Sequence, residues 1–203
     1  MVIEMRRAEV EVDEANELLN QAGLPNLNSM EILQGGWDNT NILLTLSDAS
    51  KVVLKVWNAN TVEEVRRVVA RHCHLDQHGI PTAVPIQLAN GSLIAERGGM
   101  AWTLLPFIEG GMLGTDENSL KSLGETMALL HQIPAADCFP GNYRMGWSLF
   151  EEMFVIADET DTWSDFLVTL KKESESLRNQ ILKDLPQGIL HGDVFPDNVI
   201  GDG

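Results

Sequence analysis

The stretch His191-Gly192-Asp193-Val194-Phe195-Pro196-Asp197-Asn198 constrains this chain more than any other. It fits the pattern H-x-D-x-x-x-x-N around a Phe-Pro turn. Five His, thirteen Asp and thirteen Asn in 203 residues allow roughly 0.02 chance occurrences of that spacing. A surface loop with Asp and Asn as turn formers is the plain alternative. The stretch matters only if the rest of the chain supplies a setting for it.

Residues 30 to 108 read mostly as strands. Residues 30–34 lead into Gly35-Gly36, and the strand-length run 42–46 follows a polar loop. A Ser-Asp-Ala-Ser turn then precedes a strand at 51–57. Alternation puts Val52, Leu54 and Val56 on one face of that strand and Val53, Lys55 and Trp57 on the other. A lysine among large apolar neighbours must reach solvent or a partner. Residues 61–78 carry Val62, Val65, Val69 and Cys73 at helical spacing, ended by Gly79-Ile80-Pro81. Residues 83–88, an Asn90-Gly91 turn, 92–96 and 100–108 add three more strand-like segments to the first three, and the expectation is an antiparallel sheet of five strands with one helix after the third. Beyond Glu109-Gly110-Gly111 the pattern turns helical. Thr115 is placed as the cap of a helix whose stripe is Leu120, Leu123, Met127 and Leu130, and further helices are expected at 148–157 and 162–183. The expectation is an α+β chain with a β-rich lobe over residues 1–108 and a helical lobe over 109–203.

Composition sets the surroundings. Fourteen Lys plus Arg against thirty Asp plus Glu give a net charge of −16. Such a surface repels phosphate backbones and anionic lipid, which argues against nucleic acid and membrane as partners. No uncharged run approaches the length of a bilayer span, and no secretory signal follows the first residues. Two cysteines, Cys73 and Cys138, do not make a disulfide framework, so a cytoplasmic location is expected.

In this setting the spacing of the 191–198 loop suits phosphoryl transfer. Asp193 would accept a hydrogen bond from an attacking hydroxyl and take its proton. Asn198 would offer a neutral oxygen to a magnesium ion beside the phosphates. Lys55 stands on the third strand, where a lysine holds nucleotide phosphates in kinase-like folds. Gly35, Gly36, Asn39, Thr40 and Asn41 join the first two strands, where glycine allows close approach and the polar side chains can donate to phosphate oxygens. That loop is neither a Walker A loop nor G-x-G-x-x-G. Phe107 and Ile108 run into the glycine-containing linker, where exposed backbone could pair with adenine.

These residues, with GWDNTN (36–41), VVLKVW (52–57), HGIPTAVPI (78–86), LLPFIEGG (104–111), LGETMALLHQIP (123–134) and HGDVFPDN (191–198), resemble the aminoglycoside phosphotransferase and choline kinase superfamily of small-molecule kinases. Within it the similarity is greatest to type II homoserine kinases. The resemblance implies a bilobal protein-kinase-like fold. It also implies transfer of the γ-phosphoryl group of ATP, with Mg2+, to a hydroxyl of a small amine-bearing substrate. Homoserine or a related amino alcohol is the expected acceptor, with an aminoglycoside or other amine or sugar alcohol as the alternative. Asp193 matches the family's catalytic base and Asn198 its magnesium ligand. Lys55 matches the phosphate-binding lysine, and His191 the residue that shapes the catalytic loop. Related kinases often pair the lysine with a helix Glu; the corresponding position holds Val68, and Glu64 is the candidate substitute. The superfamily's second magnesium-binding Asp follows in an apolar strand, whereas Asp202 lies between two glycines and is not assigned that role. The expectation is a C-terminally truncated fragment, inactive by itself and exposing apolar surface.

Two rival readings come from other classes. His74 and His78, four apart on one helical face, would suit a metal pair, but no third ligand is evident. A nucleotide-binding module without transfer chemistry is the other. A Ser or Cys hydrolase lacks support, because adjacent helix residues such as His72, Cys73 and His74 do not face one another.

Overall fold

The computed structural model describes residues 9–33, 38–141, 146–181 and 184–201. The chain divides into two compact units, Met1–Cys138 with Ile189–Gly203 and Phe139–Gly188.

In the first unit, β1 (Leu27–Ile32), β2 (Thr40–Leu46), β3 (Lys51–Trp57), β4 (Ala95–Arg97) and β5 (Met100–Pro106) form an antiparallel sheet of order β1-β2-β3-β5-β4. The burial pattern of β2 and β3 follows the alternation in their sequence. Ile42, Leu44, Leu46, Val52, Leu54, Val56, Trp102 and Leu104 join one buried cluster. On the face bearing Lys55, Leu43, Val53 and Leu105 are half-buried, Trp57, Ala101 and Thr103 are buried, and Lys51 is exposed.

Each face meets its own helix. α1 (Val12–Gln21) places Ala15, Leu18 and Leu19 against the first face. Burial of each leucine contributes about 1.5–3 kcal/mol. The spacing of those residues is helical, yet α1 was not anticipated, because charge dominates the segment around it. α2 (Val62–Gln77) puts Val65 and Val69 with Trp57 and Ala101 on the opposite face. Its start is fixed by a capping box between Thr61 and Glu64.

The segment 83–88 differs from expectation. It forms no ladder strand; Ile86 donates once to Leu104, at 2.7 Å, and Leu88 donates to Ser92, at 2.8 Å. The fourth strand is the three-residue β4, so the sheet has five strands. After β5 the chain runs through β6 (Gly111–Met112) into α3 (Glu117–Leu130). Asp116, not Thr115, caps α3, its carboxylate accepting from Asn118 N and Ser119 N. Of the expected stripe, Leu130 is buried, Leu123 and Met127 are half-buried and Leu120 is exposed.

The second unit contains α4 (Trp147–Thr160) and α5 (Asp165–Arg178). Ser164 caps α5 by accepting from Leu167 N. α5 starts three residues later and ends sooner than its sequence pattern suggests. Phe154 and Trp163 stack with Lys171 over both rings. Val155, Ile156, Phe166, Val168 and Leu177 are exposed. Among the described residues no helix is long and apolar enough to cross a membrane.

Candidate active site

The 191–198 loop is closed on itself. The Asn198 side-chain amide donates both to the Asp193 carbonyl and to Asp193 Oδ2, at 3.0 Å each. Asp193 N in turn donates to His191 Nδ1, at 3.3 Å. An imidazole that accepts at Nδ1 carries its proton at Nε2 when neutral. Gly192 sits between them at φ 80°, a conformation that disfavours any Cβ. Pro196 opens a short 3-10 turn, Pro196–Asn198, that Asn198 N closes by donating to Phe195 O at 2.9 Å. With Asn198 Nδ2 committed, the carboxylate of Asp193 is held exposed and at a set angle.

Backbone contacts fix this loop to the linker after β5. β7 (Ile200–Gly201) pairs antiparallel with β6, and Leu113 N donates to Pro196 O and Val199 O, each at 3.1 Å. The junction leaves no room at Gly110. A Cβ there would stand 2.5 Å from Gly201 O and 2.6 Å from Ile200 Cγ2, and its φ is 142°. Gly110 and Gly192 thus shape the backbone of the candidate site, and both lie within the motifs at 104–111 and 191–198.

Across the sheet, Lys55 pairs with Asn41 on β2 and Thr103 on β5, giving one polar row over three central strands. One pair along, Leu43, Val53 and Leu105 form a half-buried apolar row on the same face. That second row exists only through the pairing of three strands, and the sequence does not display it. The Lys55 ammonium lies 4.0 Å from the centroid of the Trp57 ring. Burial pushes its pKa below the ordinary 10.5. Among the described residues no carboxylate forms an ion pair with it.

Two candidates are corrected here. Glu64 does not serve Lys55: its carboxylate accepts from Thr61 N, at 2.8 Å, and from Thr61 Oγ1, at 3.0 Å, as a helix cap requires. Thr40 is buried in the sheet, and its hydroxyl accepts from Asn58 Nδ2 at 2.8 Å, so its side chain supports the strand rather than facing a ligand. Asn39 is half-buried, with Oδ1 shielded and unpartnered among the described residues. Phe107 is half-buried with the Lys51 ammonium 5.0 Å over its ring, and Ile108 is exposed. Gly35, Gly36 and Asp202 lie outside the described residues.

Other features do not compete with this site. Cavities of about 510 and 340 Å³ flank β4, and neither is lined by Lys55 or Asp193. The rings of His74 and His78 are 4.3 Å apart, with His74 Nε2 on Pro134 O and His78 Nδ1 on His74 O. No group of three metal-ligating side chains occurs among the described residues.

A five-stranded antiparallel sheet with a half-buried lysine on its third strand, followed by a closed H-x-D-x-x-x-x-N loop, defines a protein-kinase-like α+β protein. The chain belongs to the APH family, the phosphotransferase enzyme family, whose model matches residues 29–203. It is 26% identical over 201 residues to a homoserine kinase of Rhodopseudomonas palustris (strain BisA53), covering 96% of this chain and 61% of that protein. It is 29% identical over 130 residues to a homoserine kinase of Beijerinckia indica, covering 63% of this chain and 40% of the relative. The chain therefore spans about 40–61% of the length of these relatives. Among solved structures, spectinomycin phosphotransferase APH(9)-Ia in complex with ADP and spectinomycin superposes with TM-score 0.69 at 16% identity, covering 97% of this chain and 67% of that one. Amicoumacin kinase hAmiN in complex with AMP-PNP, Ca2+ and Ami gives 0.59 at 19% identity, covering 90% and 58%.

Proposed function

We propose that this chain carries the nucleotide-binding and catalytic-base portion of an ATP-dependent small-molecule kinase, with homoserine or a related amino alcohol as acceptor. The carrying observation is the Asp193–Asn198 clamp, which holds an exposed carboxylate in one orientation before any substrate arrives. Residues 1–108 hold the nucleotide in this reading, and residues 109–203 supply the loop and acceptor contacts.

The acceptor hydroxyl donates to the open oxygen of Asp193. As the oxygen of the acceptor's hydroxyl attacks the γ-phosphorus, its proton passes to the Asp193 carboxylate, and the bond from phosphorus to the β–γ bridging oxygen breaks to release ADP. Lys55 pairs with the nucleotide phosphates, which gives its half-buried ammonium the anionic partner that it lacks among the described residues. The apolar row Leu43, Val53 and Leu105 covers one side of the flat base, with Phe107 and Ile108 at its linker edge. His191 and Gly192 hold the loop backbone.

The donor chemistry fits a hard cation. Asn198 Nδ2 is spent on Asp193, which leaves its neutral Oδ1 beside a carboxylate, and such oxygen donors suit Mg2+. When bound, the ion neutralises charge developing on the phosphates.

The acceptor class rests on the curated relatives, which are homoserine kinases, while the superposed structures include kinases of spectinomycin and amicoumacin. An ADP-release screen over homoserine, other amino alcohols and aminoglycosides, run on the chain extended to the length of its relatives, separates the two. Turnover with homoserine above all aminoglycosides supports the proposal. Turnover only with an aminoglycoside replaces the acceptor.

A further inference from the structure

We infer that Trp57 is the positioning residue for Lys55, holding its ammonium against the indole face where related kinases use a helix carboxylate. The inference rests on the nucleotide-binding reading of Lys55.

Three contacts carry it. Trp57 follows Lys55 by two positions on one strand, so both side chains rise from the same face. The ammonium lies 4.0 Å from the ring centroid, well inside the range in which an aromatic quadrupole attracts a cation. The indole cannot drift, because Trp57 Nε1 donates to Thr103 Oγ1 at 3.1 Å, and Thr103 is the cross-strand partner of Lys55. Lysine, ring and hydroxyl make one closed unit on β3 and β5.

The helix that would supply a carboxylate supplies apolar contact instead. Val65 and Val69 of α2 share a buried cluster with Trp57 and Ala101, and Trp57 is 7% exposed. Glu64 is committed to Thr61, and Val68 occupies the position where a partner acid is expected. The position of α2 is thereby coupled to Lys55 through the indole rather than through an ion pair. One face of the ammonium is shielded by carbon, and among the described residues no acceptor takes its N–H groups, which leaves them to meet phosphate oxygens.

The test combines proton NMR of the ligand-free chain with binding of the ATP analogue AMP-PNP, using Trp57→Phe, Trp57→Leu and Lys55→Met. The inference expects Lys55 ε-methylene signals shifted upfield by the ring current in the wild type, assigned by their loss in Lys55→Met. The shift persists in Trp57→Phe, which keeps an aromatic face, and vanishes in Trp57→Leu. Affinity for AMP-PNP falls about tenfold in Trp57→Leu and less than about threefold in Trp57→Phe. Unshifted Lys55 signals in the wild type overturn the inference without any variant needing to fold. So does a Trp57→Leu protein that binds like wild type while Lys55→Met does not. If Lys55→Met binds AMP-PNP unchanged, the nucleotide reading of Lys55 fails, and the ring-current shift still decides the role of Trp57.

Discussion

Asn198 reaches back five residues to hold Asp193 through two hydrogen bonds from one amide nitrogen, to the carbonyl and to Oδ2, each 3.0 Å long. The pair is both a structural staple and, in the proposed chemistry, the boundary between proton acceptor and cation ligand. Asn198→Ala removes the staple and the neutral oxygen together. In the chain extended to the length of its relatives it is expected to lower kcat by about 100-fold or more, while circular dichroism stays that of the wild type. Asn198→Asp sets a second carboxylate against the first and is expected to be no better than Ala.

Lys55 couples stability to function with opposite signs. Burial lowers its pKa below 10.5, so folding disfavours the charged form. That cost is fully present below the lowered pKa and is relieved as pH rises towards 10.5. Lys55→Met removes the cost. Thermal melting at pH 7 should leave Tm unchanged or raise it by about 2–4 °C, while AMP-PNP affinity falls at least about tenfold.

The linker glycines provide a matched pair. A Cβ at Gly110 meets the backbone of Gly201, whereas one at Gly111 has nothing within 4 Å. Gly110→Ala should cost about 1–3 kcal/mol in urea unfolding and loosen the β6–β7 ribbon that carries the catalytic loop. Gly111→Ala should change unfolding by no more than about 0.5 kcal/mol. Equal effects at the two positions would contradict the close approach at Gly110.

Acid should weaken the fold through its caps and turns. Hydrogen bonds from Ser50 hold the Asp48 carboxyl below its ordinary 3.8, those from Thr61 hold Glu64 below 4.5, and those from Ser119 hold Asp116 below 3.8. Groups with depressed pKa contribute stability that is complete above the ordinary value and lost as pH falls through the lowered one. Asp116→Asn keeps a capping oxygen but cannot titrate. Its melting temperature should fall less steeply than wild type below pH 3.8.

Much of the site was legible because strand alternation and loop spacing are local properties. Lys51–Trp57 displayed its two faces in the sequence, and the His191–Asn198 spacing fixed which side chains could meet. What could not be read depends on contacts between distant segments. The clash that demands glycine at position 110 arises from residues 200 and 201, and the row Leu43, Val53 and Leu105 joins three strands. Glu64 misled for a local reason. Its capping box with Thr61 was present in the sequence as Thr-x-x-Glu, and that cap outweighed a guess at a lysine partner. Residues 83–88 read like a strand, yet among the described residues their one backbone bond to β5 runs from Ile86 N to Leu104 O, and Pro85 has no N–H to add another.

The most direct test compares transfer with binding in Asp193→Asn. An amide there keeps the shape of the loop but cannot accept the hydroxyl proton. In the chain extended to the length of its relatives, the account predicts that label transfer from γ-labelled ATP to homoserine falls by about 100- to 10,000-fold, while AMP-PNP binds within about threefold of the unsubstituted protein. Wild-type turnover in Asp193→Asn would contradict it.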